Sequence, residues 1–207
     1  MIYKKNMTLS KATTHVSFII GLLITLKTHS ASLIFEPGLG YKQEQLKLTT
    51  LTPSTTTKYS MNSPVASLKI HLYSSTGVSL GIAGEYSSGK AETDPTTVDR
   101  PEFTHFIGSF QLGVSAMESM KIYLGYAPSN NLEFKTNASF TGFSLKGNSY
   151  LAGVVLYPFH RFAIGTQYTV SIYKEIIGAN YLSSKDTDLH FQKMDSQDIS
   201  FTISYLM

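Results

Sequence analysis

One short stretch of this sequence has the residue types of a metal site. Asp186, Asp188 and His190 alternate over five positions, and carboxylates and imidazoles are ligands that divalent cations accept. No further ligand of a suitable type stands at a matching spacing, so a solvated loop is the simpler interpretation. The chain contains no cysteine, which removes thiolate sites and disulfides from consideration. We predict no metal and no cofactor.

A second group of polar residues recurs on one side of alternating segments. Its members are Glu36, Lys69, His71, Glu85, His105, Gln111, Lys121, Tyr123 and Gln167. Charges confined together must pair or stay hydrated. Two interpretations are open, namely a rigid polar filling of ion pairs and hydrogen bonds, or a narrow gated path for ions or protons. Which of these two interpretations holds depends on the secondary structure that positions these residues.

The first 31 residues differ from the rest of the chain. Lys4, Lys5 and Lys11 precede an apolar run over residues 16–26, and small residues follow it. This run is too short for a helix that crosses a bilayer, which needs about 20 residues. The layout is typical of a secretory signal peptide, so we predict a signal at 1–31 and one domain at 32–207.

The net charge of the predicted domain is close to zero. Removing the four lysines of 1–31 from 17 basic residues leaves 13 against 14 acidic ones, a net charge of −1. This charge gives no ground for a nucleic-acid partner.

After residue 32 the dominant pattern is an alternation with period two, which is typical of strands with two different faces. Eight segments follow it, at residues 33–41, 65–73, 78–86, 104–114, 120–126, 150–156, 162–170 and 199–207. Their apolar faces carry no charge, and a charge facing lipid at mid-bilayer would cost about 2–4 kcal/mol. Short connections near 74–77, 115–119 and 157–161 alternate with long ones at 44–63, 88–102, 128–148 and 174–197. These features predict an all-β fold, an eight-stranded antiparallel up-and-down transmembrane barrel with short periplasmic turns and long extracellular loops.

Aromatic residues provide an independent check on this orientation. Six strands place one at the predicted outer end of the apolar face, namely Tyr41, Tyr86, Phe106, Tyr126, Tyr150 and Tyr168. A ring with a polar tip suits the headgroup zone, so we predict an aromatic girdle at this level. A soluble eight-stranded barrel with its apolar face turned inward is the competing fold. The small residues of the polar faces favour the membrane barrel, because they suit a narrow filled interior.

Three segments carry a resemblance to a known family. SLIFEPGLGYK (32–42) resembles the first strand of small outer-membrane barrels of the OmpA and OmpX type, and GVVLYPFHRFAIGTQYTV (153–170) resembles a short-turn hairpin of that family. The terminal ISFTISYLM (199–207) resembles the strand read by the barrel-assembly machinery, although it ends in Met207 rather than phenylalanine. The resemblance implies insertion into the bacterial outer membrane by this machinery after export.

The same family contains enzymes that act on lipids, and the resemblance therefore requires a check for their motifs. Lipid A deacylases carry a His-x-Ser pair on a strand, and the one such pair here is His15-Val16-Ser17 within the predicted signal. Lipid A palmitoyltransferases use His, Asp and Ser in outer loops, and no matching motif is present. We therefore predict no catalytic residue and a protein that is not an enzyme.

The long connections are the remaining surface for function. Two of them carry apolar residues, namely Leu132, Phe134, Phe140 and Phe143 in the third and Ile176, Ile177, Tyr181, Leu182 and Phe191 in the fourth. These residues could contact lipopolysaccharide or another cell, form a small cluster, or extend the strands. The leading hypothesis is a monomer with a filled lumen that serves envelope integrity or surface interaction. The alternatives are a narrow channel for small solutes and, third, a lipid-modifying enzyme.

Overall fold

The described part of the chain forms nine β-strands. The computed structural model describes residues 32–50, 54, 56–94, 100–137, 140–178, 181–184 and 191–207, so the predicted signal peptide and the 186–190 stretch lie outside it. The strands are β1 (Ser32–Thr50), β2 (Thr56–Tyr73), β3 (Val78–Asp94), β4 (Glu102–Met117), β5 (Met120–Phe134), β6 (Phe143–Phe159), β7 (Phe162–Gly178), β8 (Tyr181–Ser184) and β9 (Phe191–Tyr205). Among the described residues, no helix is long and apolar enough to span a membrane.

Eight of these strands close into one antiparallel barrel. Strands β1 to β7 pair in sequence, β9 pairs with both β7 and β1, and no edge is left between them. The short β8 pairs only with the end of β7. Closure satisfies the backbone hydrogen bonds of every barrel strand without an exposed edge. The predicted eight-stranded fold is confirmed.

The two ends of the barrel differ, and we call them the turn end and the loop end. The turn end holds the three short connections between β2 and β3, β4 and β5, and β6 and β7. In the first of these, Gly77 has a φ of 81° and its N–H donates to the Ser74 carbonyl at 3.0 Å. A left-handed residue in so tight a turn favours glycine, which has no Cβ to clash.

The strands run much further toward the loop end than the sequence pattern predicted. The prediction placed residues 44–63 in a loop, whereas β1 and β2 pair continuously up to Thr49 and Thr56. The other three predicted long loops are shortened in the same way. The period of two persists through these extensions, but the apolar side chains change from the outer face to the inner one. The bounds predicted for the long loops were therefore too wide, although the longer connections do lie at this end of the barrel, and the strand-extension alternative holds.

The outer face of the barrel is apolar over the part nearest the turn end. Its most exposed large side chains include Leu39, Phe110, Leu124, Phe201 and Ile203, which are between 60% and 72% exposed. The six predicted girdle residues lie on this outer face and are between 39% and 57% exposed. The apolar face thus points outward, which excludes the competing soluble barrel with an apolar interior.

The interior is filled by side chains in successive layers. At the loop end, a group that we call the loop-end plug consists of Leu46, Leu48, Tyr59, Met61, Ala91, Phe103, Leu132, Phe134, Phe143, Leu145, Tyr173, Ile176 and Met194, with Phe140 against it. All eight barrel strands contribute to this plug. At its centre the Phe134 ring lies 4.8 Å from the Phe143 ring and 5.0 Å from the Tyr59 ring, between centroids. Below the plug the interior holds mainly polar side chains, together with a second, smaller apolar cluster of Tyr123, Leu151, Val155 and Ala163.

Glycines on the inner face make room for the larger side chains of these layers. A Cβ on Gly153 would lie 2.4 Å from the hydroxyl of Tyr123 and 2.7 Å from the Thr166 carbonyl oxygen. A Cβ on the outer-face Gly84 would meet nothing nearer than a ring carbon of Phe106 at 3.9 Å. The two positions therefore differ in the space that they offer.

We expect Gly153→Ala to lower the free energy of unfolding by about 1–3 kcal/mol, because the added methyl must displace Tyr123 or the β7 backbone. Gly84→Ala is the matched control, and its effect should stay within about 0.5 kcal/mol. Urea unfolding of the detergent-folded protein measures both. Equal stability of the two variants would contradict this account of the packing.

Candidate functional site

The structure places all nine predicted lumen residues on the inner face of the barrel. None of Glu36, Lys69, His71, Glu85, His105, Gln111, Lys121, Tyr123 and Gln167 is more than 7% exposed. They do not form one continuous network. Two groups and several separate side chains share the lumen.

The first group lies near the turn end, and we call it the turn-end network. The ammonium of Lys69 is 3.7 Å from the Glu36 carboxylate, and Lys121 donates to the Tyr73 hydroxyl at 2.7 Å. The two ammonium groups lie 5.5 and 5.9 Å from the centroid of the Tyr123 ring, so this ring separates the positive charges and attracts both. Such contacts compensate part of the cost of burial.

A chain of hydrogen bonds continues from Tyr123 toward the loop end. The Tyr123 hydroxyl donates to the side-chain oxygen of Gln167 at 2.8 Å, and the Gln167 amide donates to Glu85 at 2.9 Å. The Gln167 side chain on β7 thus accepts a hydrogen bond from the Tyr123 phenol on β5 and donates one to the Glu85 carboxylate on β3. This bridge holds three distant strands at a fixed spacing across the lumen.

His71 and Gln111 stay outside these hydrogen-bond chains. Within the described residues, neither ring nitrogen of His71 has a hydrogen-bond partner, and its ring rests against Gly81 and the Tyr73 ring. Gln111 makes a long bond to Ser109 at 3.4 Å, and its side-chain oxygen has no partner. The structure thus does not join these two residues to the predicted network.

The second group lies directly beneath the loop-end plug, and we call it the charged layer. Lys42 is 3.2 Å from Glu44 and 3.4 Å from Asp198, while Nδ1 of His105 lies 2.8 Å from the same Glu44 oxygen. All four side chains are at most 2% exposed. Of these four residues, only His105 was predicted from the sequence to lie in the lumen.

Asn130 extends the charged layer across the barrel. Its amide nitrogen donates to Ser149 at 2.6 Å and to Ser171 at 2.8 Å, so its oxygen is the atom that faces Nε2 of His105 at 2.7 Å. Since that oxygen only accepts, Nε2 of His105 carries a hydrogen. The layer thereby links β1, β4, β5, β6, β7 and β9.

Sequence reasoning missed the charged layer for an identifiable reason. Lys42 and Glu44 continue the inner-face positions of β1 after Glu36, Gly38 and Gly40, but the prediction ended the strand at Tyr41. Asp198 was left out because the predicted last strand began at 199. Continuing the alternation past the girdle would have located these residues.

Four of the six predicted girdle residues lie in neighbouring pairs on the outer wall, whereas Tyr41 and Tyr168 stand opposite Phe201 and Ile199 of β9. Tyr86 stands opposite Phe106, and Tyr126 stands opposite Tyr150 with ring centroids 5.4 Å apart. Beyond this level the outer face of β1 becomes polar, with Gln43 and Gln45 after Tyr41, whereas β7 still exposes Ile172. On β1 this change marks the upper limit of the apolar outer surface, which we call the apolar belt.

The described residues offer little for metal chemistry. No cluster of three or more histidine or acidic side chains in the described ranges could hold an ion. Both His71 and His105 are sealed inside the barrel at 1% exposure. Neither histidine can meet a lipid that lies against the outer wall.

Comparisons with solved structures agree with the architecture. The fold is similar to Ail, the attachment invasion locus protein of Yersinia pestis, in complex with the heparin analogue sucrose octasulfate (TM-score 0.54, 14% identity, 85% of this chain and 99% of Ail covered). It is also similar to Neisserial surface protein A (TM-score 0.52, 11% identity, 85% and 98% covered) and to the outer membrane protein OprG of Pseudomonas aeruginosa (0.50, 9%, 86% and 97%). The predicted resemblance to small outer-membrane barrels is confirmed at the level of fold. No protein-family model and no curated protein matches the sequence.

We expect Lys42→Met to destabilise the barrel by about 3–5 kcal/mol, because it leaves Glu44 and Asp198 buried without their shared cation. Lys193→Met is the matched control, since its ion pair with Asp195 involves a lysine side chain that is 69% exposed. Such exposed pairs contribute about 0–1 kcal/mol. Urea unfolding compares the two variants. A Lys42→Met protein as stable as the control would show that the charged layer does not depend on this lysine.

Proposed function

We propose that this protein is a closed, non-enzymatic barrel of the bacterial outer membrane that serves envelope integrity or surface interaction through its loop end. The apolar belt supports a position in lipid, because its exposed leucine, isoleucine and phenylalanine side chains would be unfavourable in water. The fold of the solved neighbours supports the same compartment. The loop end then faces the cell exterior, and the turn end, where β1 begins and β9 ends, lies at the periplasmic side.

The loop-end plug is the observation that carries the closed state. Leu46, Met61, Leu132 and Leu145 are fully buried, and the rings of Phe103, Phe134 and Phe143 belong to the same packed cluster, to which all eight barrel strands contribute. An ion passing this level would lose its hydration without gaining polar partners. The polar layers beneath the plug therefore support a rigid filling rather than a path.

The position of His71 and His105 supports the non-enzymatic role, whereas His160 is exposed in the turn between β6 and β7. A lipid-modifying barrel needs its catalytic groups at the outer wall or the rim, where a lipid can reach them. His71 and His105 are instead inside the barrel, and the latter is committed to Glu44 and Asn130.

The remaining parts of the proposal concern export and assembly. Residues 1–31 act as a cleaved signal, the barrel-assembly machinery inserts residues 32–207, and the barrel works as a monomer in contact with outer-membrane lipids and lipopolysaccharide. Met207 exchanges backbone hydrogen bonds of 2.9 and 3.2 Å with Phe35, so the pairing with β1 extends beyond the end of β9.

A cavity on the loop-end wall favours an anionic sugar as one surface ligand. It has a volume of about 370 Å³ and is lined by Lys90, Arg100, Glu102, Lys135, Thr136 and Asn137. Arg100 pairs with Glu92 at 3.2 Å and Lys135 with Glu102 at 3.6 Å, with all four side chains more than half exposed. Exposed pairs of this kind are weak, so a sulfate or phosphate group can compete for the cations. The sulfated sugar bound by Ail is a suitable probe.

Planar-bilayer recording tests the closed state. We expect the purified barrel to give no steady single-channel openings, because the plug excludes hydrated ions. A folded barrel resists SDS and migrates differently on a gel before and after boiling. This heat-dependent difference in mobility verifies that the inserted protein is folded. Steady, ion-selective openings that change in Lys69→Ala or Glu85→Ala would overturn the proposal in favour of a narrow channel.

Titration with sucrose octasulfate tests the cationic cavity. We expect Lys90→Gln combined with Lys135→Gln to weaken binding about ten-fold at low salt, with a smaller effect as salt rises. Lys146→Gln combined with Lys193→Gln, which removes two exposed lysines outside the cavity, is the charge-matched control. Binding that is unaffected by the double variant would remove the cavity from the proposal.

A further inference from the structure

A second cavity lies on a different wall of the barrel, formed by β1, β9 and β7. Its volume is about 270 Å³, and its lining residues are Gln43, Gln45, Tyr168, Gln197, Asp198 and Ile199. Asp198 belongs to it only in part, since its carboxylate is buried on the inner side next to Lys42. The accessible polar groups of this cavity are therefore three uncharged carboxamides and one phenol.

The strand register explains how these side chains meet. Gln43, Ile199 and Tyr168 form one row across the three strands, and Gln45 stands opposite Gln197 in the next row toward the loop end. All five side chains are on the outer face, where the three glutamines are exposed. Because Tyr168 belongs to the girdle level, the glutamines stand just above the apolar belt.

The chemistry of this group suits a neutral sugar. Each glutamine side chain offers two N–H donors and one carbonyl acceptor, which match hydroxyl groups that both donate and accept. The Tyr168 ring adds an apolar surface with a polar tip, on which the C–H face of a sugar ring can rest. The cationic cavity differs in kind, because its lysines and arginine select for charge.

An apolar track continues from this cavity into the belt. Below Ile199 on β9 come Phe201 and Ile203, which are 60% and 62% exposed, and Leu39 of β1 stands beside Ile203 at 72% exposure. A ligand with a sugar above and acyl chains below would match both parts at once. A free sugar would leave the track unused.

We propose that this surface binds a glycolipid of the outer leaflet, with a neutral sugar held by Gln43, Gln45, Gln197 and Tyr168 and its acyl chains along Ile199, Phe201, Ile203 and Leu39. The inference rests on the proposed position of the barrel in the outer membrane. It adds a specific lipid class to that role and assigns the β1–β9–β7 wall to it.

Side-chain amide NMR of ¹⁵N-glutamine-labelled protein, folded in micelles of a sugar-free polyoxyethylene detergent, tests the proposal. Addition of a diglucosyl diacylglycerol should shift the amide signals of Gln43, Gln45 and Gln197. The amides of Gln111 and Gln167 are buried in the lumen and serve as internal controls that should not move. Phosphatidylglycerol, which has acyl chains but no sugar, should leave the signals of these five of the six glutamines in place.

Variants separate this proposal from the proposed function. Gln45→Ala combined with Gln197→Ala should weaken glycolipid binding about ten-fold, through the loss of hydrogen bonds to the sugar. Thr104→Ala on the β4 wall should bind as the wild type does. Undiminished binding by the double variant, equal shifts with phosphatidylglycerol, or equal affinity for soluble maltose would each overturn the glycolipid site. Heat-dependent gel mobility and bilayer recording on the same samples report on the barrel itself, so they show whether the proposed function fails independently.

Discussion

The interior of an eight-stranded barrel is so narrow that side chains must fill it, and this constraint governs the rest of the structure. Where the outer wall is apolar, the alternation of a strand leaves most of its polar side chains for the interior, and the charged ones among them need partners there. Glu36, Lys69 and Lys121 are buried polar side chains of this kind, on the inner face of strands whose outer face is apolar. Above the girdle the constraint acts in reverse, because a polar outer wall leaves the interior free to hold Leu46, Phe134 and the other members of the plug.

This exchange of faces explains which parts of the fold could be predicted from the sequence. Strand number, direction and inner face followed from an alternation that is strongest where lipid and lumen differ most, as in the segment from Leu33 to Tyr41. The extensions were missed because their outer positions, such as Gln43, Gln45 and Lys47, are no longer apolar. Taken alone, strands with a polar outer face and an apolar inner face are equally typical of a β-hairpin in water outside a barrel. Only the continuity of register with the strand below identifies them as barrel wall.

The candidate sites were less predictable than the fold, since they depend on which strands become neighbours. The nine inner polar residues could be assigned to a face, but not to partners. Gln167 meets Glu85 across 82 positions of sequence, and Lys42 meets His105 across 63. Such contacts depend on how the barrel closes and on the stagger between neighbouring strands. The local sequence pattern contains no information on either. The same holds for Gln45 and Gln197, which are separated by most of the chain and stand opposite each other only because β9 closes onto β1.

The filled lumen also determines where binding can occur. A charged layer beneath a dry plug is costly to open, because any opening must separate Lys42 from Glu44 and Asp198 before water can replace the lost contacts. Such a layer stabilises one register of β1 against β9 and withdraws the interior from exchange with ligands. Binding then depends on the wall above the belt, where side chains are exposed and their identity is not fixed by packing. The cationic cavity on one wall and the carboxamide cavity on another use this freedom in different ways, the first to attract charge and the second to match hydroxyl groups.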